Sequence, residues 1–262
     1  MGKRERYEPG TFCWADLVTT DPAGAKPFYA GLFGWEAEDV PAGEAGTYTL
    51  MRLDGDEVCG LYEMDAGRRE AGDQPHWLSH VRVEDADAVA ARARELGGAV
   101  EGGVVDVGEH GRFAMIRDPS GGVVVAWQTG ASAGARRVND PGCMTWNELN
   151  TREPERMAAF YAELFGWEMA AQRQNGTLAY VTIKNAGSAN GGIMPMSDRP
   201  GDAPSFWLAY FTVSSCDEAV ARVRELGGEL LAGPMEPGAG RIAVLADPQG
   251  AAFAVFEGET DD

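Results

Sequence analysis

PGTFCWADLVTTDPAGAKPFYAGLFGWE, residues 9–36, returns at residues 141–168 as PGCMTWNELNTREPERMAAFYAELFGWE. The offset is 132 throughout, so Trp14 answers Trp146, Phe28 answers Phe160 and Trp35 answers Trp167. Half of the 28 aligned positions are identical, far beyond coincidence. A repeat of this kind settles architecture before any local reading. In the same register Tyr48 answers Tyr180 and Gly60 answers Gly192. Further on, WLSHVRVEDADAVAARARELGG (77–98) answers WLAYFTVSSCDEAVARVRELGG (207–228), and GRFAMIRDPSG (111–121) answers GRIAVLADPQG (240–250). The 262 residues therefore divide into two copies of one domain, expected over 9–129 and 142–257. The stretch between them, 130–141, is small, polar and rich in Gly, and reads as a flexible linker.

Inside one copy the pattern alternates between strand and helix. Residues 11–19 read as a strand, with Phe12, Trp14, Asp16 and Val18 on one face and Cys13, Ala15 and Leu17 on the other. Asp21-Pro22 is a helix start, because Asp accepts free amides and Pro fits the first turn. Ala25, Phe28, Tyr29, Leu32 and Phe33 form an apolar helical stripe that Gly34 ends. Strands follow at 48–53 and 57–63 around Asp54-Gly55-Asp56, a hairpin signal. Residues 64–76 read as a polar loop. A second round then gives a strand at 77–83, a helix at 85–96 and strands near 99–105, 111–117 and 122–128. Each copy is thus two βαβββ units, and the chain has four. The expected class is α+β, a tandem duplication forming two curved mixed-sheet half-barrels with flanking helices.

Composition narrows the partners. The net charge is −19 and the pI about 4.5, which repels a phosphate backbone and an acidic membrane surface. No apolar run reaches the 18 residues of a membrane helix, and the N-terminus lacks the apolar core of a secretory signal. Cys13, Cys59, Cys143 and Cys216 do not recur at equivalent repeat positions, whereas a disulfide framework is duplicated with its domain. They read as free thiols in a reducing cytoplasm. The expected partner is a small molecule, with neither nucleic acid nor membrane, and the chain is a monomer or a homodimer.

A helix ending Phe-Tyr-x-x-Leu-Phe-Gly-Trp, four βαβββ units and a late Gly-Arg-x5-Asp-Pro-x-Gly turn resemble the vicinal oxygen chelate superfamily. This is the glyoxalase, bleomycin-resistance and extradiol dioxygenase group, and the likeness is greatest to its tandem two-domain actinobacterial type. The resemblance implies a curved eight-stranded sheet and a pocket in each domain, but this fold hosts many chemistries. It also implies where a metal would sit. Metal-dependent members place His on the first strand, His or Gln on the first strand of the second unit, and Glu on unit-ending strands. Those positions carry over to Trp14, Leu78 and Val125 in the first domain, and to Trp146, Leu208 and Ala254 in the second. None is a ligand type. Only three histidines exist, His76, His80 and His110, all in the first domain. We therefore expect no metal and no cofactor, with those six positions lining the pocket instead.

The candidate site follows. Trp14 and Trp146 can stack on a planar ligand or pack as ordinary core. Asp16 and Glu148 are carboxylates at matching places on apolar strands. There, burial raises a carboxyl pKa and suits it to acid, base or anchor, although a salt bridge or loop cap explains it equally well. His80 matches Tyr210, and either can donate into the pocket. Cys59 can face it too. Arg112 and Arg241 are expected to brace Asp118 and Asp247, and His76 and His110 to lie on the surface. A metal-free binding protein for apolar or aromatic ligands is the first reading, and the resemblance implies a role for it in antibiotic biosynthesis or resistance. The second is a metal-independent isomerase, cyclase or hydroxylase-type enzyme with Asp16, Glu148 and His80 as catalytic groups.

Overall fold

The computed structural model describes residues 2–43, 46–196, 204–238 and 240–260. Its first half runs β1 (Phe12–Thr19), α1 (Pro22–Phe33), β2 (Glu36–Pro41), β3 (Thr47–Leu53), β4 (Asp56–Glu63) and α2 (Ala66–Glu70). It continues with β5 (His76–Val83), α3 (Ala86–Glu95), β6 (Ala99–Asp106), β7 (Gly111–Arg117) and β8 (Val123–Thr129). The second half runs β9 (Met144–Thr151), α4 (Pro154–Phe165), β10 (Glu168–Gln174), β11 (Thr177–Asn185) and β12 (Ser188–Pro195). It ends with β13 (Phe206–Thr212), α5 (Cys216–Glu225), β14 (Glu229–Met235), β15 (Arg241–Ala246) and β16 (Ala252–Glu257). Each half closes its own eight-stranded sheet, in the orders β2-β3-β4-β1-β5-β8-β7-β6 and β10-β11-β12-β9-β13-β16-β15-β14. The centre of each is the quartet β4-β1-β5-β8 or its counterpart β12-β9-β13-β16. There the first two and last two strands pair in parallel and the middle pair is antiparallel.

Local chemistry explains the helix α1. The Asp21 carboxylate accepts the Gly24 amide at 3.0 Å, Pro22 occupies the first turn, and Gly34 closes the helix at φ 76°. Two strands were not legible. Glu36–Pro41 is an edge strand open to solvent along most of its length, so it carries no apolar alternation. Its register comes from β3, and Glu168–Gln174 is placed likewise by β11. The expected loop at 64–76 contains the short helix α2, which Asp65 caps through the Arg68 amide at 2.9 Å. On β1 a register shift between Phe12 and Trp14 turns Phe12 away from the face expected for it. It lies instead 5.4 Å from the Trp167 ring and 5.2 Å from Trp207.

That contact belongs to the main core, which both halves share. The paired Phe-Tyr motif is the joint. The Tyr29 hydroxyl donates to Asp247 Oδ2 at 3.0 Å and accepts from Trp77 Nε1 at 3.2 Å. The mirror set is Tyr161 to Asp118 Oδ2 at 2.8 Å and Trp207 Nε1 to Tyr161 at 3.0 Å. Trp35 Nε1 donates to the Gly142 carbonyl and Trp167 Nε1 to the Gly10 carbonyl, each at 2.7 Å. Every one of these side chains is buried, so each polar group has a partner where water is absent. Asp118 and Asp247 are thus held by a tyrosine of the other half and by amides of their own turns. They are not braced by arginine as expected. Arg112 and Arg241 point outward instead, to Asp87 and Asp217.

The segment 130–141 is docked rather than loose. The Ala135 amide donates to the Cys13 carbonyl at 2.8 Å, and Arg136 to Glu57 at 2.7 Å. Tyr7 donates to the Ala135 carbonyl at 2.6 Å, and Arg137 pairs with Asp54 and Asp56, each at 2.9 Å. A polar composition did not make this segment mobile, because the strand ends beside it offered free carbonyls and carboxylates.

Candidate functional site

The face of each sheet away from the core carries its own apolar cluster. In the first half this is Val18, Met64, Leu78 and Val125, with Tyr62, Phe113, Met115 and Val123 around them. In the second it is Leu208, Tyr210 and Ala254, ringed by Trp146, Phe206, Ile242 and Phe256 among others. We call these faces cups. Strand register places the polar groups across their floors. Asp16 lies between Gly60 and Leu78, and the next row reads Trp14, His80, Val125. The second floor reads Gly192, Glu148, Leu208 and then Trp146, Tyr210, Ala254.

The Asp16 carboxylate is the hub of the first cup. Its Oδ1 accepts from the Tyr48 hydroxyl at 2.6 Å and from Trp14 Nε1 at 2.9 Å. Its Oδ2 lies 3.1 Å from His80 Nε2, an ion-pair distance without the alignment of a well-formed hydrogen bond. His80 Nδ1 has no hydrogen-bond partner among the described residues. In the second cup Glu148 takes the same place. Tyr180 donates to its Oε2 at 3.0 Å, Tyr210 to its Oε1 at 2.9 Å, and Trp146 Nε1 to the Tyr180 hydroxyl at 3.1 Å.

Glycine makes the tyrosine bond possible. A Cβ on Gly60 would overlap the Tyr48 hydroxyl and Asp16 Oδ1, and one on Gly192 would overlap the Tyr180 hydroxyl. Tyr48, Tyr180, Gly60 and Gly192 are site residues that the sequence reading did not assign. Their signal was present all the same, since both pairs recur in register. A repeated Tyr opposite a repeated Gly is what a side chain crossing a bare strand requires.

Burial alone would raise the Asp16 pKa, as the sequence suggested. Here that push is outweighed by the electrostatic attraction of His80 and by hydrogen bonds from Tyr48 and Trp14, so the pKa falls below the usual carboxylate value. Asp16 is therefore ionised at neutral pH and is a weak base. The sign follows by linkage. A depressed carboxyl pKa stabilises the fold above the unfolded value of about 3.9, and this contribution is lost as pH falls through the folded pKa. We expect the stability gap between the wild type and Asp16→Asn, measured by urea unfolding, to narrow once pH drops below about 4. A gap that widened on acidification would show that the site prefers the neutral carboxyl.

Three other expectations change. Cys59 does not face the cup; it is fully buried on the opposite face of β4, in the main core opposite Met51. Alternation along β4 puts Gly60 and Tyr62 in the cup and Cys59 behind it. His76 is half-buried at the cup end of β5 rather than on the surface, and burial pushes its pKa down. Phe12 leaves the cup as described. Asp16, Leu78, His80 and Val125 do come together, as do Trp146, Glu148, Leu208, Tyr210 and Ala254; Trp14 reaches Asp16 through Nε1 while its ring packs with the main core.

The metal positions implied by the family can now be tested against the donor set. The unit-ending strands β4 and β8 bring Gly60 and Val125 to the floor, where metal-dependent members have glutamates. Among the described residues, the first floor carries one carboxylate and one imidazole, and the second one carboxylate and no imidazole. The hydroxyl of Tyr48 fills the space above Gly60. A divalent ion needs three or more converging donors, and among the described residues no three His, Cys, Asp or Glu side chains form such a group. These residues do not fit the family's metal centre.

Fold and site together define a two-domain member of a β-cup family, and sequence comparison says which. Residues 11–126 match the Glyoxalase/Bleomycin resistance protein/Dioxygenase superfamily, and residues 143–256 match the Glyoxalase-like domain. The chain belongs to this superfamily. It is 39% identical to CFP32 of Mycobacterium tuberculosis, provisionally described as a glyoxylase, over 98% of both chains. It is 33% identical to the anthracycline biosynthesis protein DnrV of Streptomyces peucetius, over 96% of this chain and 94% of that one. Two solved structures share the fold at low identity. The 2,3-dioxygenase LapB from Pseudomonas sp. KL28 aligns with a TM-score of 0.67 at 14% identity, covering 98% of this chain and 96% of that one. The Mn(II)-bound glyoxalase from Novosphingobium aromaticivorans aligns at 0.65 and 15%, covering 100% and 85%. No helix among the described residues is long and apolar enough to cross a membrane.

Proposed function

We propose that this is a cytoplasmic protein that binds planar, mainly apolar aromatic molecules in its two cups without requiring a metal ion. The observation that carries this reading is the apolar cluster on the cup face of each sheet, separate from the core and gathered around one hydrogen-bonded carboxylate. An apolar lining with a few fixed polar groups is the usual make-up of a small-molecule site. Trp146 offers an aromatic face in the second cup, and Trp14, whose ring packs on the main core, borders the first; each is oriented by its Nε1. The relative named for anthracycline biosynthesis supports a polycyclic ligand, since an anthracycline carries a fused planar ring system.

A ligand that binds only the folded chain must raise its melting temperature. At a free concentration a hundred times Kd the gain is about 2.7 kcal/mol, or roughly 5–10 °C for a chain of this size. We expect a thermal-shift panel of anthraquinones and naphthoquinones to contain such a compound, and Trp14→Ala with Trp146→Ala to abolish its effect. A panel in which no polycyclic compound moves the transition would refute the reading.

His80 favours a second reading, that of a metal-independent enzyme in the first cup. With Nε2 held beside Asp16, its Nδ1 is directed to accept a substrate proton. Asp16 is then the positioning residue and His80 the base, because the lowered Asp16 pKa makes that carboxylate a poor proton acceptor. The second cup, which has no imidazole, would bind only. Turnover that survives His80→Gln unchanged would exclude this arrangement.

A further inference from the structure

Two polar atoms associated with the first cup have no partner among the described residues. One is His80 Nδ1, on a side chain only 7% exposed. The other is Nη1 of Arg82, which is buried and equally without a hydrogen-bond partner among the described residues. Arg82 stands two residues beyond His80 on β5. Register sets His80 beside Val125 and Arg82 beside Trp127 on β8, so both belong to the face that carries Leu78. The neighbouring odd-numbered residues, Trp77, Val81 and Val83, fill the core.

An arginine with a free, buried nitrogen is unexpected here. The chain carries 41 acidic residues against 22 basic ones. Several other arginines have found carboxylates: Arg52 holds Glu38 and Glu57, Arg137 holds Asp54 and Asp56, and Arg241 holds Asp217 and Glu236. Arg82 as a whole is half-buried, but its guanidinium stays charged at any physiological pH and the enclosed Nη1 forgoes a hydrogen bond that water would otherwise give it. Buried donors in native folds are satisfied almost without exception, so an orphan of this kind marks an acceptor supplied from outside.

The second cup differs at both positions. Tyr210 replaces His80 and commits its hydroxyl to Glu148. Thr212 replaces Arg82, in register with Phe256 as Arg82 is with Trp127. Its Oγ1 is also buried and without a hydrogen-bond partner among the described residues, but it is neutral.

We infer that the two cups select ligands of different charge. The first seats an anionic oxygen of its ligand (a carboxylate, phenolate or enolate) between Arg82 and His80, and the second seats a neutral group at Thr212. The inference rests on the reading of the cups as aromatic-ligand sites: the apolar basin recognises the ring, and Arg82 recognises the charge. A guanidinium fork matches a carboxylate in shape as well as sign.

The probes are 2-naphthoate and 2-naphthamide, which share a ring and differ in charge. Each is titrated calorimetrically into the full chain at fixed ionic strength. The naphthoate should bind one site about tenfold or more tighter than the naphthamide, the expected size of a charge-assisted contact. In Arg82→Gln the two probes should bind alike, while Arg82→Lys should retain part of the preference. Circular dichroism and melting curves establish that both variants are folded. Equal affinities in the wild type, or a preference that survives Arg82→Gln, would overturn the inference and leave the cup reading standing. Failure of both probes to bind would overturn the cup reading, and this inference with it.

Discussion

Asp16→Ala is expected to lower the stability of the protein by about 3–5 kcal/mol, because buried donors lose their shared acceptor at once. The Tyr48 hydroxyl and Trp14 Nε1 both donate to Oδ1, and His80 Nε2 lies beside Oδ2. An orphaned buried donor costs about 1–3 kcal/mol. Trp14 Nε1 retains one contact, the Tyr48 oxygen at 2.9 Å, which keeps the total below three full penalties. Asp16→Asn keeps an acceptor oxygen at the same place and should cost clearly less. For a chain of this length the alanine variant should melt about 10 °C or more below the wild type. Urea unfolding measures the difference directly. If Asp16→Ala unfolds within 1 kcal/mol of the wild type, the carboxylate is not the hub described here.

The second large effect lies at the joint between the halves. Phe211 on β13 is fully buried and meets Phe33, Trp35 and Trp77 of the other half at ring distances of 5.3, 5.5 and 4.9 Å. Truncating such a ring costs about 3–5 kcal/mol. Because the cavity opens in a core shared by both halves, Phe211→Ala should destabilise the whole chain and not the second half alone. Hydrogen exchange followed by mass spectrometry separates these outcomes. Protection should fall together in peptides from β1 and from β9. Loss confined to the second half, or two resolved thermal transitions, would show that the domains fold independently. The Tyr29–Asp247 and Tyr161–Asp118 bonds act in the same sense, since each half supplies the hydroxyl that satisfies the other's buried aspartate.

Chemically, the two cups are versions of one design. A carboxylate, a tyrosine crossing a glycine and an indole N–H are common to both. Among the described residues of the two floors, an imidazole and a guanidinium side by side on the fifth strand belong to the first alone.

Much of this was written in the chain. The repeat fixed the number of domains, because two copies of one pattern must each form the same units. The Asp21-Pro22 start, the apolar stripe and Gly34 specified α1, since caps and helical spacing act over a few residues. The matched pairs Asp16–Glu148 and Tyr48–Tyr180 and the sparse histidines were also visible there. Tertiary structure decided the rest. Phe12 moved to the core through a single register shift, and Cys59 stood one residue out of phase with the cup, because facing in a strand depends on pairing and not on composition. The edge strands were placed by their neighbours. Asp118 and Asp247 took their partners from the opposite half, more than 200 residues away in the second case. Even the sign of the Asp16 pKa shift was a tertiary matter: burial alone raises it, and only the convergence of Trp14, Tyr48 and His80 from three strands turns it downward.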